Sequence, residues 1–201
     1  MVRVLAFDLG GVLFSDGTRE FIEYLRRAHG VDTAHAGELL HGDLGSRYRE
    51  GTVTRDEFWG TFRHTLRLED SADDLAARWI DGYRIDEGTR DLIRDVSARY
   101  AVYYLSDNVA DRVEAVEDRY GFLNLFTGGV FSHEVGVRKP DRRIYEHLLW
   151  IAEADAEDVV FVDDKQWALD PAAQLGMATV LFQHSDQARH ALAALGVCLE
   201  A

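Results

Sequence analysis

The sequence predicts an α/β fold: an open parallel sheet flanked by helices, with an all-helical insertion after the first strand. Three observations predict it. Four short apolar runs, residues 2–7, 101–105, 159–162 and 178–182, are β-branched or aromatic and nearly continuous, as in strands buried on both faces. Polar residues and then a helical pattern follow each run, and that alternation implies parallel pairing with helices on both faces. About 80 residues separate the first run from the segment starting at Glu87, and that interval carries helical stripes only.

The first run leads into Asp8-Leu9-Gly10-Gly11. Within the long interval, Phe21, Tyr24 and Leu25 form one stripe, Phe58, Trp59, Phe62 and Leu66 a second, and Leu75, Trp79 and Ile80 a third. Thr54 followed by Glu57 has the pattern of a capping box, and Ser71 followed by Asp74 a weaker version. Residues 16–86 are therefore expected to form a helical insertion beside the sheet. Residues 1–15 and 87–201 are expected to form the α/β core. Helices are expected over about 87–99, 109–119, 141–152, 167–175 and 185–195, with a fifth, short strand at Gly129-Val130-Phe131.

Composition narrows the function classes. Of 201 residues, 47% are hydrophobic and 29% charged, as in an ordinary globular chain, and the net charge of −14 lacks the basic footprint of a nucleic-acid or anionic-membrane binder. Asp8 interrupts the N-terminal apolar stretch, leaving it too short for a signal peptide or membrane span. Cys198 is the one cysteine, so no internal disulfide can form, and a cytoplasmic location is expected. A monomer or homodimer is expected. Cys198 has no histidine near it in sequence, and the eight histidines show no metal-ligand spacing. No GxGxxG or P-loop pattern occurs, so a bound nucleotide cofactor is not indicated.

Ligands of open parallel sheets bind beyond the carboxyl ends of the strands. The residues there are Asp8-Leu9-Gly10-Gly11, Ser106-Asp107-Asn108 and Asp163-Asp164-Lys165, with Arg138-Lys139-Pro140-Asp141 before a helix. If these ends share one edge, Asp8, Asp163 and Asp164 converge, and carboxylates at close range require a cation or protons between them. Oxygen ligands of this kind suit Mg²⁺. A carboxylate beside such a cation can attack phosphorus. Gly10 and Gly11 let backbone approach closely, with N–H groups able to face phosphate oxygens, and Ser106, Asp107 and Asn108 join them as phosphate-site candidates. Pro140 suits a first helical position, which would fix Lys139 near a helix N-terminus as a phosphate-binding ammonium.

These four groups, in this order, resemble the motifs of the haloacid dehalogenase-like superfamily. Phe7-Asp8-Leu9-Gly10-Gly11-Val12-Leu13 looks like its first motif, Leu105-Ser106-Asp107-Asn108 its second, and Gly136-Val137-Arg138-Lys139-Pro140-Asp141 its third. Val162-Asp163-Asp164, with Ala172-Ala173-Gln174-Leu175-Gly176-Met177, looks like the fourth. The resemblance implies a Rossmann-like core with an inserted C1-type helical cap. Gly51-Thr52-Val53-Thr54 with Glu57-Phe58-Trp59 is similar to a cap turn in the branch of epoxide hydrolase N-terminal phosphatase domains and sugar-phosphate phosphatases. It further implies a phosphatase acting on a small phosphorylated substrate, with Asp8 as nucleophile and Mg²⁺ ligand. The Gly10 carbonyl and Asp164 would be further ligands, and Asp163 would help hold the metal, its waters or Lys139. Ser106 and Lys139 would bind phosphate, and the cap would close over the site and select the substrate.

Two positions depart from the family's pattern. Gly10 stands where phosphatases usually carry a second Asp that acts as general acid and base, a contribution typically worth about 10²–10⁴-fold. Ala168 stands where relatives often have Asn or Asp. The missing acid leaves three routes: a leaving group that departs unprotonated, a proton from Asp16, Asp107 or a cap residue, or slow turnover in a protein that acts by binding. A 2-haloacid dehalogenase is the alternative enzyme, because halide leaves without a proton, but such enzymes need no metal and leave the Asp163-Asp164 pair unexplained. Trp59 and Trp79 read as insertion core, and Trp167 as a residue at the pocket entrance.

Overall fold

The computed structural model describes residues 1–199. Strands β1 (Val4–Phe7), β2 (Ala101–Ser106), β3 (Gly128–Phe131), β4 (Val159–Asp163) and β5 (Ala178–Leu181) form one parallel sheet in the order β3-β2-β1-β4-β5. The helices are α1 (Gly17–His29), α2 (Thr33–His41), α3 (Asp43–Arg49), α4 (Arg55–Leu66), α5 (Ala72–Asp81), α6 (Glu87–Ser97), α7 (Ala110–Tyr120), α8 (Ser132–Val135), α9 (Arg142–Ala152), α10 (Gln166–Leu175) and α11 (Ser185–Ala194). β1 is central, with Phe7 beside Tyr104 of β2 and Val162 of β4.

Every residue of β1 and β4 is buried, which accounts for their unbroken apolar sequences. Strand alternation divides them between two faces. Leu5, Phe7, Val160 and Val162 join one apolar cluster with Leu92, Ile93 and Val96 of α6 and Ala188 and Leu192 of α11. Val4, Ala6, Val159 and Phe161 join the other with Ile144, Tyr145 and Leu148 of α9 and Leu169 and Ala172 of α10.

The interval between β1 and α6 folds into helices α1 to α5, as its stripes predict. Thr54 and Glu57 form the reciprocal capping box, and Ser71 accepts the Asp74 N–H at the start of α5. The three stripes meet in one aromatic group: Phe58 stacks on Tyr48 at 4.3 Å and on Trp79 at 5.9 Å and meets Trp59 edge-on at 5.0 Å, while Phe21 packs against Trp59, Phe62 and Trp79. This group belongs to the same buried cluster as Phe7 and Leu9, so one apolar interior runs from the sheet's first face into these helices.

One local expectation fails. Pro140 is not the first residue of a helix, because α9 starts at Arg142 and Asp141 caps it by accepting the Arg143 N–H at 2.9 Å. An Asp side chain can satisfy an orphan N–H that proline cannot, so the cap sets the boundary. The helix after Asn108 runs over Ala110–Tyr120, close to the expected span, and opens behind Val109 with no side-chain cap.

Phe58 is fully buried at the centre of the aromatic group. Phe58→Ala should lower unfolding free energy by about 3–5 kcal/mol, measured by urea denaturation, since neighbouring rings cannot collapse into the space. A loss under about 1 kcal/mol would show that the helices contribute little to the common core.

Candidate active site

The strand order reverses direction between β1 and β4, and a crevice opens there beyond their carboxyl ends. Asp8 follows β1, its N–H bonded to the Val162 carbonyl at 2.9 Å, which continues the ladder by one residue and fixes the carboxylate at the sheet edge. The turn beyond it is closed by the N–H groups of Leu13 and Phe14 donating to the Leu9 carbonyl. Asp163 ends β4, Asp164 follows it, and Ser106 ends β2. A cavity of about 190 Å³ is lined by Asp8, Gly10, Gly11, Ser106, Asp107, Asn108, Lys139, Asp163 and Asp164, so every sequence-predicted site residue reaches one cleft.

Lys139 is the bridge. Its Nζ lies 3.0 Å from Asp8 Oδ1 and donates to Asp163 Oδ2 at 2.7 Å, and the side chain is 3% exposed. Its backbone N–H donates to Asp107 Oδ1 at 3.0 Å, which anchors the loop before α9 to the end of β2. Burial pulls the ammonium's pKa down, but Asp8, Asp163 and Asp107 outweigh it, and the net shift is upward, so Lys139 stays charged. Asp163 is fully buried, and its other oxygen accepts the Lys165 N–H at 2.8 Å. Burial pushes the Asp8 carboxyl up to about 7; Asp163's charge adds to the rise, and Lys139 and the Leu9 N–H oppose it.

One carboxylate oxygen from each of Asp8, Asp163 and Asp164 lies within 4.8 Å of the others. Asp164 Oδ2 accepts from Lys165 Nζ at 2.6 Å, whereas its Oδ1 is buried without a hydrogen-bond partner. A buried carboxylate oxygen lacking a donor is costly unless a cation meets it. With one buried ammonium among three carboxylates, a divalent, oxygen-seeking ion fits the charge and the donor set.

Gly11 does not serve as the expected phosphate donor, because its N–H donates to the Phe14 carbonyl at 2.7 Å. Glycine is required there for two other reasons: φ is +87°, and a Cβ would lie 2.6 Å from Asp164 Oδ2. Gly10 differs, since a Cβ there would meet only the Tyr83 ring at 4.0 Å. Asn108 Oδ1 accepts from Arg112 Nε at 2.6 Å and from the Val109 N–H at 3.0 Å, which holds this side chain by its oxygen. Asp16 lines the cleft but accepts the Arg19 N–H as the cap of α1.

The far wall comes from residues with no signal in the sequence motifs. Thr18, His41, Arg49, Tyr83 and Arg112 line the cleft, and Phe14, Val113, Val116 and Phe122 give it an apolar side. Burial, with Arg49 nearby, holds the His41 pKa below its usual value. Trp167 is half exposed at the rim, as expected, whereas Trp59 and Trp79 are buried in the aromatic group and do not line the cavity.

A family model described as haloacid dehalogenase-like hydrolase matches residues 2–176. The chain belongs to this hydrolase family. As a member of the haloacid dehalogenase-like hydrolases it is 24% identical over 200 residues to a sesquiterpene phosphatase of Aspergillus oryzae, covering 98% of this chain and 94% of that one. It is 28% identical over 199 residues to a drimenol cyclase of Aspergillus calidoustus, where the match takes in 96% of this chain but 36% of the relative. A solved haloacid dehalogenase-like enzyme of Bacteroides thetaiotaomicron, in complex with magnesium and inorganic phosphate, superposes with a TM-score of 0.75 at 22% identity, covering 91% of this chain and 95% of that one. That likeness shows the shared fold. No described helix of this family member is long and apolar enough to cross a membrane.

The raised Asp8 pKa gives a signed prediction. Between roughly pH 4, the unfolded carboxyl's pKa, and about 7, the metal-free fold holds a proton that the unfolded chain has lost, so Asp8's contribution to stability declines as pH rises through about 7. A metal must displace that proton. Mg²⁺ should therefore raise Tm more at about pH 8 than at about pH 5.5 in thermal denaturation. An increment independent of pH would mean that Asp8 is not at the ion.

Proposed function

We propose that this hydrolase is a Mg²⁺-dependent phosphatase that acts on a small phosphorylated metabolite through an aspartyl-phosphate on Asp8. The supporting observation is the single cluster in which Asp8 faces Lys139 at 3.0 Å while Asp164 offers a buried, unpartnered Oδ1 suited to a cation. Asp8, the Gly10 carbonyl and Asp164 would hold the metal. Bound there, Mg²⁺ would neutralise charge on the transferring phosphoryl group and on the nucleophile.

The chain's own residues divide the remaining work. Lys139 holds Asp8 in place and supplies positive charge to phosphate oxygens. Asp163, with both oxygens engaged by Lys139 and the Lys165 N–H, fixes the ammonium rather than the substrate. Ser106 donates to phosphate from the end of β2. Helices α1 to α5 form a cap that excludes water and contacts the organic part of the substrate, and Phe14, Val116 and Phe122 suit an apolar group there. The phosphatase names among the relatives support this reading.

With no acid at residue 10, the leaving group departs unprotonated. Hydrolysis should be fast for esters with acidic leaving groups, such as acyl phosphates, and slow for simple alkyl phosphates. Space beside Tyr83 admits a side chain at residue 10, so Gly10→Asp should accelerate alkyl phosphate hydrolysis, up to about 10²–10⁴-fold, in steady-state assays. No gain would show that proton transfer already has another source.

Asp8→Asn should reduce Mg²⁺-dependent phosphate release to background with the fold intact by circular dichroism, and EDTA should do the same to the unmodified protein. Chloride release from 2-chloropropionate that survives EDTA would support the dehalogenase reading instead.

A further inference from the structure

The cavity that contains Asp8 is also lined by two buried guanidinium groups that the phosphatase reading leaves unused. Arg49 is 7% exposed and Arg112 is 3% exposed, and both line the cavity that contains Asp8. Neither has a carboxylate within 4.0 Å among the described residues, although the chain carries a large excess of acidic side chains. Buried charges are ordinarily paired, and two unpaired ones of like sign in one cleft are costly.

The hydrogen bonds that hold these cations all go to neutral groups, with Asp107 acting on Arg49 only through space. Arg112 Nε donates to Asn108 Oδ1 at 2.6 Å and Nη1 to the Tyr83 hydroxyl at 2.9 Å, and that hydroxyl is 2.8 Å from Thr18 Oγ1. The Arg112 guanidinium lies 4.6 Å from the Trp79 ring centroid and 4.8 Å from that of Tyr83. Arg49 Nη1 donates to the carbonyls of Leu40 at 2.7 Å and Gly45 at 3.0 Å. Burial and then the charge of Arg112 lower the Arg49 pKa to about 10, against the opposing charge of Asp107. Arg112 is joined through Asn108 to the segment that begins at Ser106, next to the expected phosphoryl position.

We propose that Arg49 and Arg112 form a second anion subsite, and that the substrate is a diphosphate ester whose inner phosphate sits on these arginines while its terminal phosphoryl group faces Asp8. This rests on the phosphatase reading and specifies its substrate class. It also accounts for Gly10. An Asp8 oxygen attacks the terminal phosphorus, the bond from that phosphorus to the bridging oxygen breaks, and the electron pair stays on the bridging oxygen. The leaving group is an organic monophosphate, a weak base that needs no proton and whose new charge the arginines stabilise. Water then attacks the phosphorus of the aspartyl-phosphate, and inorganic phosphate carries away the water's proton and restores Asp8.

The test compares phenyl diphosphate with phenyl phosphate in the presence of Mg²⁺, using the full chain. The diphosphate should have the higher kcat/KM, and Arg49→Gln or Arg112→Gln should reduce the diphosphate-to-monophosphate ratio by about 10–150-fold, with Arg112→Lys retaining part of it. A merely structural role would lower both substrates together and leave the ratio unchanged, which overturns the proposal. Binding supplies a readout independent of turnover. By calorimetry without metal, methylene diphosphonate should bind the unmodified protein more tightly than methylphosphonate, and the difference should vanish in Arg112→Gln. Equal binding of the two probes to the unmodified protein, or tighter binding of 3-phosphonopropionate, would refute the diphosphate assignment. Asp8-dependent hydrolysis of phenyl phosphate without diphosphate preference would sink this subsite alone, whereas release unaffected by Asp8→Asn would sink the phosphatase reading.

Discussion

The arrangement on which the site depends is the burial of Lys139 between Asp8 and Asp163. An ammonium in a cleft is stable only with compensating charge, and carboxylates this close repel unless a cation separates them. Each partner therefore justifies the other. The geometry follows from the sheet: β1 and β4 are neighbours in register, so the residues that follow them emerge at the same edge. The loop carrying Lys139 is tied to β2 through Asp107, which brings a third strand into the same arrangement. With this framework in place, the orphaned oxygen of Asp164 defines the remaining demand for positive charge.

Much of the fold and of the candidate site was legible in sequence, because burial on both faces leaves a strong imprint. The apolar runs at β1, β2, β4 and β5 and the acidic residues after β1 and β4 mark the sheet edge without coordinates. The aromatic stripes of α1, α4 and α5 likewise mark helices that share one interior. Boundaries set by a single side chain were harder to read. Asp141 caps α9, which starts at Arg142, since a capping hydrogen bond outweighs a preference for proline at the first turn. At residue 11 the glycine is dictated by a left-handed turn and by the Asp164 carboxylate against it, and not by the phosphate-facing amide that the sequence suggests.

The arginine-bearing part of the cleft was not legible, for a physical reason. Arg49 lies at the end of α3, Arg112 in the first turn of α7 and Tyr83 in the connection after α5. Their sequence neighbours give no period or motif that distinguishes them from surface residues. Only packing on Trp79 and the hydroxyl link between Tyr83 and Thr18 bring them to one face. The carboxylate–ammonium cluster thus comes from strand ends whose pattern is local, while the rest of the cleft comes from contacts between segments far apart in the chain. In the proposed phosphatase the glycine at residue 10 connects the two, because a site without its own acid would place the demand on the leaving group and on whatever stabilises it.

The proposed mechanism requires that Asp8 become covalently phosphorylated. Acid quenching during turnover, followed by reduction with tritiated borohydride and peptide mapping, detects this, since an aspartyl-phosphate is converted to labelled homoserine. Label is expected at residue 8, dependent on Mg²⁺ and absent in Asp8→Asn. Undiminished turnover with no label, or label at another carboxylate, would contradict it.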